Sequence, residues 1–119
     1  QIAGNMSSTE RLGFALSCSG DCARVAVGSP GYGNGRGVVR VFELGGLTGY
    51  HQMGAQFAMG FGSSDSSGGA VAMSAQGTRV AVGAPESHRY SDDGGYARVY
   101  EWKEASLEWA QLGADDFRG

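Results

Sequence analysis

Apolar residues in this chain come in short bursts separated by glycine-bearing turns. The pattern predicts four strands near Leu12–Ser17, Ala23–Ser29, Gly37–Leu44 and Tyr50–Ala55. Four more are predicted near Gly69–Ser74, Thr78–Ala84, Gly95–Trp102 and Glu108–Ala114. In the second burst, Val25 and Val27 point to one face and Ala26 and Gly28 to the other, because side chains alternate along a strand. Val80 and Val82, with Ala81 and Gly83, repeat that arrangement. A strand without charge on either face calls for cover on both. Its small face would let a neighbouring sheet approach closely, and its valine face would fill the opposite gap. Pro30 and Pro85 follow these strands and end them, since proline cannot donate to a ladder.

The two sets of bursts are one pattern written twice. Glu10–Pro30 aligns with Asp65–Pro85 without a gap, at a spacing of 55 residues (Arg24 to Arg79). Gly13 meets Gly68, Ala15 meets Ala70, Ser19 meets Ser74, and Arg24–Gly28 matches Arg79–Gly83 residue for residue. Further on, Gly37–Glu43 matches Gly95–Glu101, and Tyr50–Ala55 matches Trp109–Ala114. The spare residues fall in one loop type, "GYGNGR" after Pro30 against the longer "ESHRYSDDG" after Pro85. Four antiparallel strands per unit at this period, each sheet buried on both faces, is the pattern of a β-propeller blade. The expected fold is therefore all-β: two four-stranded antiparallel blades, part of a larger propeller, since two blades do not close a ring.

Composition narrows the alternatives. With 22 glycines but 2 prolines and 41% hydrophobic residues in 119, the chain is neither collagen-like nor a disordered linker. A net charge of −3, with no stretch that concentrates Lys or Arg, lacks the footprint of a nucleic-acid binder. No apolar run approaches the roughly 20 residues of a membrane-spanning helix. The chain begins at Gln1, not Met, so its start is expected to lie elsewhere. Cys18 and Cys22, in "CSGDC", have neither redox C-x-x-C spacing nor zinc partners, because His51 and His88 sit in unrelated places. Two readings stay open for them, a disulfide across a turn or two packed thiols. The sequon Asn5-Met6-Ser7 points toward N-glycosylation and a secreted, cell-surface or other oxidising lumenal location.

Candidate chemistry is sparse. "GYGNGRG" would need to open a helix to cradle a phosphate, and the strand-like "VVRVFE" follows, so it reads as a turn. Ser, His and Asp occur, but in no nucleophile-elbow sequence. Of the aromatics that could form a sugar-binding surface, Phe42/Tyr100 and Tyr50/Trp109 recur in register and read as packing between sheets. Variable loops on a rigid scaffold are where partner contact is sought. The candidates there are Tyr32, Asn34 and Arg36 in the first loop, and His88, Arg89, Tyr90, Asp92 and Asp93 in the second. Arg40/Glu43 and Arg98/Glu101 also recur and read as a solvated outer edge.

The segments "G-x-A-V-A-M-S-A-Q-G-T-R-V-A-V-G-A-P", "G-x-x-R-V-Y-E-W" and "W-x-Q-L-G-A-D" together resemble the FG-GAP repeat of integrin-α-type β-propellers. The version they are most similar to occurs in large extracellular repeat proteins of algae and other microbial eukaryotes. The resemblance implies a last-strand remnant of a preceding blade over 1–8, blades over 9–55 and 65–114, and linkers over 56–64 and 115–119. Many family members hold calcium in the hairpin between the first two strands. The turns here are "SCSGDC" and "SAQG", with Asp21 as their one carboxylate, against the six to eight oxygens calcium takes. No calcium or other cofactor is expected, and Asp92 and Asp93 read as a solvated acidic turn. Cys22 stands where the second unit has the turn glycine Gly77, so a bond to Cys18 would supply the constraint that glycine supplies there. The family's role implies a non-catalytic scaffold or adhesion module, a fragment of a longer protein. Its partners would be the remaining blades, other protein subunits or a glycan. The alternative is the non-catalytic portion of a polysaccharide-processing enzyme, or a glycan-binding module.

Overall fold

The computed structural model describes residues 10–62, 64–87, 94–113 and 116–118. Asn5, His88, Arg89, Tyr90, Asp92 and Asp93 lie outside the described residues. Among the described residues the chain is all-β, and Tyr32–Gly35 forms a single tight, irregular turn. Strands β1 (Ala15–Cys18), β2 (Arg24–Ser29), β3 (Val38–Leu44) and β4 (Tyr50–Gln52) form one antiparallel sheet in sequence order. Strands β5 (Ala70–Met73), β6 (Arg79–Ala84), β7 (Tyr96–Lys103) and β8 (Glu108–Gln111) form a second in the same order. A two-residue strand β9 (Phe117–Arg118) pairs with the start of β7. Its counterpart in the first unit is Phe57, which exchanges both backbone hydrogen bonds with Val39 at 2.9 Å.

The strands fall where the apolar bursts predict, with shorter ends. β1 begins at Ala15, not Leu12. Arg11 (φ 57°) and Gly13 (φ 86°) are left-handed, and the Phe14 amide turns back to donate to the Arg11 carbonyl at 3.1 Å. Left-handed Gly54 and Gly113 likewise lie just past the ends of β4 and β8.

β2 and β6 carry nearly the same residues but differ in what they do with the small face. In β6, Val80 and Val82 are buried while Ala81 is exposed; in β2, Ala26 and Gly28 are buried along with Val27, and Val25 is half-exposed. The cause is the stacking of the sheets. The small face of the first sheet (Ala26, Val39, Val41) packs on the valine face of the second (Val80, Val82, Tyr100, Trp109), with Met53 and Phe57 closing the core. Each of these valines contributes about 1.5–3 kcal/mol by leaving water. Contact is close because Gly28 has no side chain: a Cβ there would lie 2.0 Å from the Gly68 carbonyl oxygen. Phe57, inside the stretch read as a linker, stacks on Trp109 with ring centres 5.4 Å apart and tilts against Tyr100 at 5.0 Å.

The recurring arginines of β3 and β7 correct one expectation. Arg40 and Arg98 do not form a solvated edge. Their side chains are 11% and 12% exposed and pair with Glu10 and Asp116. Arg40 and Glu43 lie on opposite faces of β3, so they cannot pair with each other. Glu43 and Glu101 instead meet Arg24 and Arg79 across the neighbouring strand, at 2.9 and 3.0 Å.

Candidate functional site

The β1–β2 turn is built from side chains that hold its own backbone. The Ser19 hydroxyl accepts from the Arg24 amide (3.1 Å) and donates to the Asp21 carboxylate (3.1 Å), which also accepts from the Ala23 amide (3.0 Å). That amide first, and the Ser19 hydroxyl second, hold the Asp21 carboxyl below its ordinary range. Ser74 does the same work in the second unit, accepting from Thr78 and Arg79. With its one carboxylate spent on the turn, the hairpin does not offer the six to eight oxygens that calcium takes. Among the described residues, no group of three or more His, Cys, Asp or Glu is placed to hold a metal.

Cys18 and Cys22 are joined by a disulfide across this turn. The bond settles the two readings left open by the sequence, and is of the kind that persists in oxidising compartments. Its energetic role is bounded by the second unit, which makes the same turn without it. Cys22 N–H donates to Ser19 and Gly77 N–H to Ser74, both at 2.9 Å, with Cys22 (φ 56°) and Gly77 (φ 73°) both left-handed. Closing so short a loop contributes at most about 2 kcal/mol. Glycine at 22 would return part of that by relieving the left-handed side chain. The variant Cys18→Met/Cys22→Gly, which installs the second unit's residues, is therefore expected to lose about 1 kcal/mol or less. Urea titration checks this. A chain that no longer folds would show that the bond, not the backbone, makes the turn.

The β2–β3 loop runs over Gly31–Gly37. Gly33 and Asn34 are left-handed, which makes the glycine run a tight turn and not the start of a helix. Of the partner-contact candidates described, Asn34 and Arg36 are exposed, and Arg36 donates to the Gly60 carbonyl at 2.9 Å. Tyr32 is half-buried. The Arg40 guanidinium lies over its ring at 5.4 Å, and its hydroxyl accepts from Gln56 at 3.1 Å. The structure thus makes Tyr32 part of the Arg40 cluster. His51 pairs with the Thr48 hydroxyl at 2.6 Å on the exposed β3–β4 hairpin. The end of the loop receives the second unit: Ser66 and Ser67 donate to the Gly35 and Arg36 carbonyls at 2.8 and 3.0 Å, and Ser67 bridges in parallel to Gly37.

At the far end of the second sheet, Arg98 meets Asp116 with two hydrogen bonds (2.5 and 2.9 Å) and lies over the rings of Phe61 and Tyr96, at 4.3 and 4.8 Å. Burial works against its charge, but the Asp116 carboxylate and the Tyr100 hydroxyl outweigh it and raise the guanidinium's pKa. Burial pushes the Tyr96 hydroxyl up to about 12, against the pull of Arg98, and raises Tyr100 as well. These groups anchor Asp116–Arg118 to β7.

Among the described residues, two sheet faces keep exposed apolar side chains, and sequence reasoning missed both. On the second sheet the small face shows Ala70, Ala72 and Ala81 to solvent, beside a shallow concavity of about 310 Å³ bordered by Gly83, Gly95 and Phe117. On the first sheet the valine face shows Leu16 (63% exposed) and Leu44 (51%), beside a concavity of about 330 Å³ lined by Leu12, Gly13, Val25 and Val27. Their signal was present in the repeat, as faces whose counterparts are buried in the other unit. Among the described residues, no helix is long and apolar enough to cross a membrane. Comparison with protein-family models and with curated proteins finds no match to the chain.

Proposed function

We propose that the chain is two adjacent blades of a β-propeller built from FG-GAP-type repeats, and that it serves as a non-catalytic scaffold or adhesion module within a longer extracellular protein. One observation carries the reading: two sheets of equal design stack with the small face of one on the valine face of the next, and each end of the stack keeps the face that a further sheet would need. The β1–β2 turn supports a structural role, since its polar side chains hold the turn backbone. The disulfide supports an oxidising location. Partners would meet the loops that differ between the units, because the rest of each unit is committed to strands and packing.

The test is the coding sequence that flanks this chain, with the mass of the native polypeptide. Further copies of the "RVAVGAP" unit are expected on both sides. A native protein that ends at these two units, stays monomeric and is folded would sink the propeller. The same protein should be inert on a panel of polysaccharides, and clear turnover would overturn the non-catalytic reading.

A further inference from the structure

We propose that Asn34 is a site of spontaneous deamidation, and that the isoaspartate it leaves loosens the joint between the two sheets. The inference stands on the β2–β3 loop and the segment docked on it, and holds whether or not the chain belongs to a propeller. The Gly35 nitrogen attacks the Asn34 Cγ. The N–Cγ bond forms, the Cγ–Nδ2 bond breaks, and the Gly35 proton leaves with the departing ammonia. Water then opens the cyclic imide. Attack at Cγ gives aspartate. Attack at the main-chain carbonyl gives isoaspartate, whose backbone runs through Cγ and is longer by a carbon. Water is the one co-reactant.

The loop supplies what the attack needs. Asn34 is exposed, and among the described residues its side-chain amide has no hydrogen-bond partner. At ψ 36° the Gly35 nitrogen points away from that side chain, so the peptide between the two residues must turn over. Asn34 must also leave its φ of 62°. Gly33 and Gly35 flank it and take up the opposite rotations, because glycine accepts either sign of φ. The movement breaks two long backbone hydrogen bonds, from Gly35 N–H to Gly31 at 3.2 Å and from Arg36 N–H to Gly33 at 3.4 Å. A typical net hydrogen bond holds such a step back by about fivefold, and a long one by less. Asn34 regains part of that by leaving the left-handed region. The fold therefore slows ring closure by about tenfold against the free loop peptide.

A longer backbone has no room at this place. The Gly35 and Arg36 carbonyls accept from Ser66 and Ser67 at 2.8 and 3.0 Å, and the Arg36 guanidinium donates to the Gly60 carbonyl at 2.9 Å. A Cβ on Gly35 would lie 3.0 Å from the Ser64 nitrogen, and one on Gly37 would lie 2.1 Å from the Ser67 carbonyl oxygen. These are backbone atoms of the segment that leads into the second unit. An added main-chain carbon shifts the spacing between Gly33 and Gly37, so these bonds cannot all be kept. Slack here passes directly to Gly68, whose carbonyl faces Gly28 where the sheets stack. The change also sets a new negative charge beside the exposed Arg36.

Ageing the purified protein at mildly alkaline pH, beside a free peptide of residues 31–37, tests this. Peptide mapping by mass spectrometry reads exchange of the Asn34 amide for an acid, and electron-transfer fragmentation tells isoaspartate from aspartate. The folded protein is expected to react about tenfold more slowly than the peptide, with isoaspartate among the products. Anion exchange separates the isoaspartate form, whose urea midpoint is expected to fall below that of fresh protein. Asn34→Asp has the charge without the longer backbone and is expected to keep the fresh midpoint. Asn34→Gly suits the left-handed turn, removes the amide and is expected to stay unchanged on ageing. The proposal is overturned if the folded protein reacts more than about a hundredfold more slowly than the peptide, which would mean that the fold shields the amide. It is also overturned if the isoaspartate form unfolds at the same urea concentration as fresh protein. A fall for Asn34→Asp as large as for the isoaspartate form overturns it too, since charge and not backbone length would then loosen the joint.

Discussion

Gly28→Ala is expected to cost about 3 kcal/mol of stability, while Gly83→Ala, the same change at the same place in the repeat, is expected to stay within about 1 kcal/mol of wild type. Neither glycine has a positive φ, so alanine meets no backbone barrier at either. In a strand, alanine also loses less conformational entropy than glycine on folding, a gain of about 0.5–1 kcal/mol at both positions. What differs is the neighbour. At Gly28 the added methyl would meet the Gly68 carbonyl oxygen at 2.0 Å and its carbonyl carbon at 2.9 Å. These are backbone atoms of the opposing unit, so the sheets must part, and the valine packing between them loosens. At Gly83 the methyl meets the Ala70 Cβ at 3.4 Å, within ordinary contact. Urea midpoints of dilute protein, below any self-association, separate the two outcomes. Equal losses at both sites would mean that the sheets do not stack small face on valine face.

That contrast also marks the limit of what the sequence discloses. The positions of all eight main strands were legible, because each unit confirmed the other's turns and alternation. Which face each strand buries was not. "RVAVG" is the same string in β2 and β6, yet Ala26 is buried in one and Ala81 exposed in the other, while Val27 and Val82 are buried in both. The deciding quantity is which neighbour lies beside each sheet, and no five-residue string carries that. Arg40 and Arg98 were misread for a related reason. Charge on a strand suggests exposure, although parity places Arg40 on the face of Val38 and Phe42, away from Glu43. An acid recurring at the head of each unit, Glu10 and Asp65, was the overlooked signal for a buried partner. Phe57 was lost inside a presumed linker, although Phe117 recurs behind the same "Q-x-G-A" motif. The disulfide stayed open because a two-cysteine hairpin can pack either way until the turn geometry is known.

Glu10→Ala is expected to cost about 3 kcal/mol, of a total that for such domains is about 5–15 kcal/mol. Glu10 is 2% exposed and pairs with Arg40, whose guanidinium also donates to Gln56 at 3.2 Å and reaches Ser29 at 3.4 Å. Removing the carboxylate leaves a buried cation with neutral partners alone, in a site that water barely enters, and removing Arg40 takes its cation from a buried carboxylate. Replacing both by apolar residues strands neither, so Glu10→Leu/Arg40→Met is expected to be more stable than either single variant. The coupling between the two changes should amount to about 2 kcal/mol. Arg79–Glu101 supplies the contrast. It joins the same two strand positions as Arg24–Glu43, but the Arg79 side chain is 57% exposed. Glu101→Gln should accordingly cost far less than Glu10→Ala. Additive losses for Glu10 and Arg40 would mean that their pair is not the unit that fixes the chain's entry to the first sheet. That entry is where the units diverge. In the second, Asp65 takes the Phe61 amide at 2.8 Å, and the arginine of β7 draws its acid from Asp116, beyond the last strand of its sheet. The first unit is thus tied to the segment before it and the second to the segment after it. Loss of Glu10 should therefore loosen Glu10–Gly13 before it disturbs the core between the sheets.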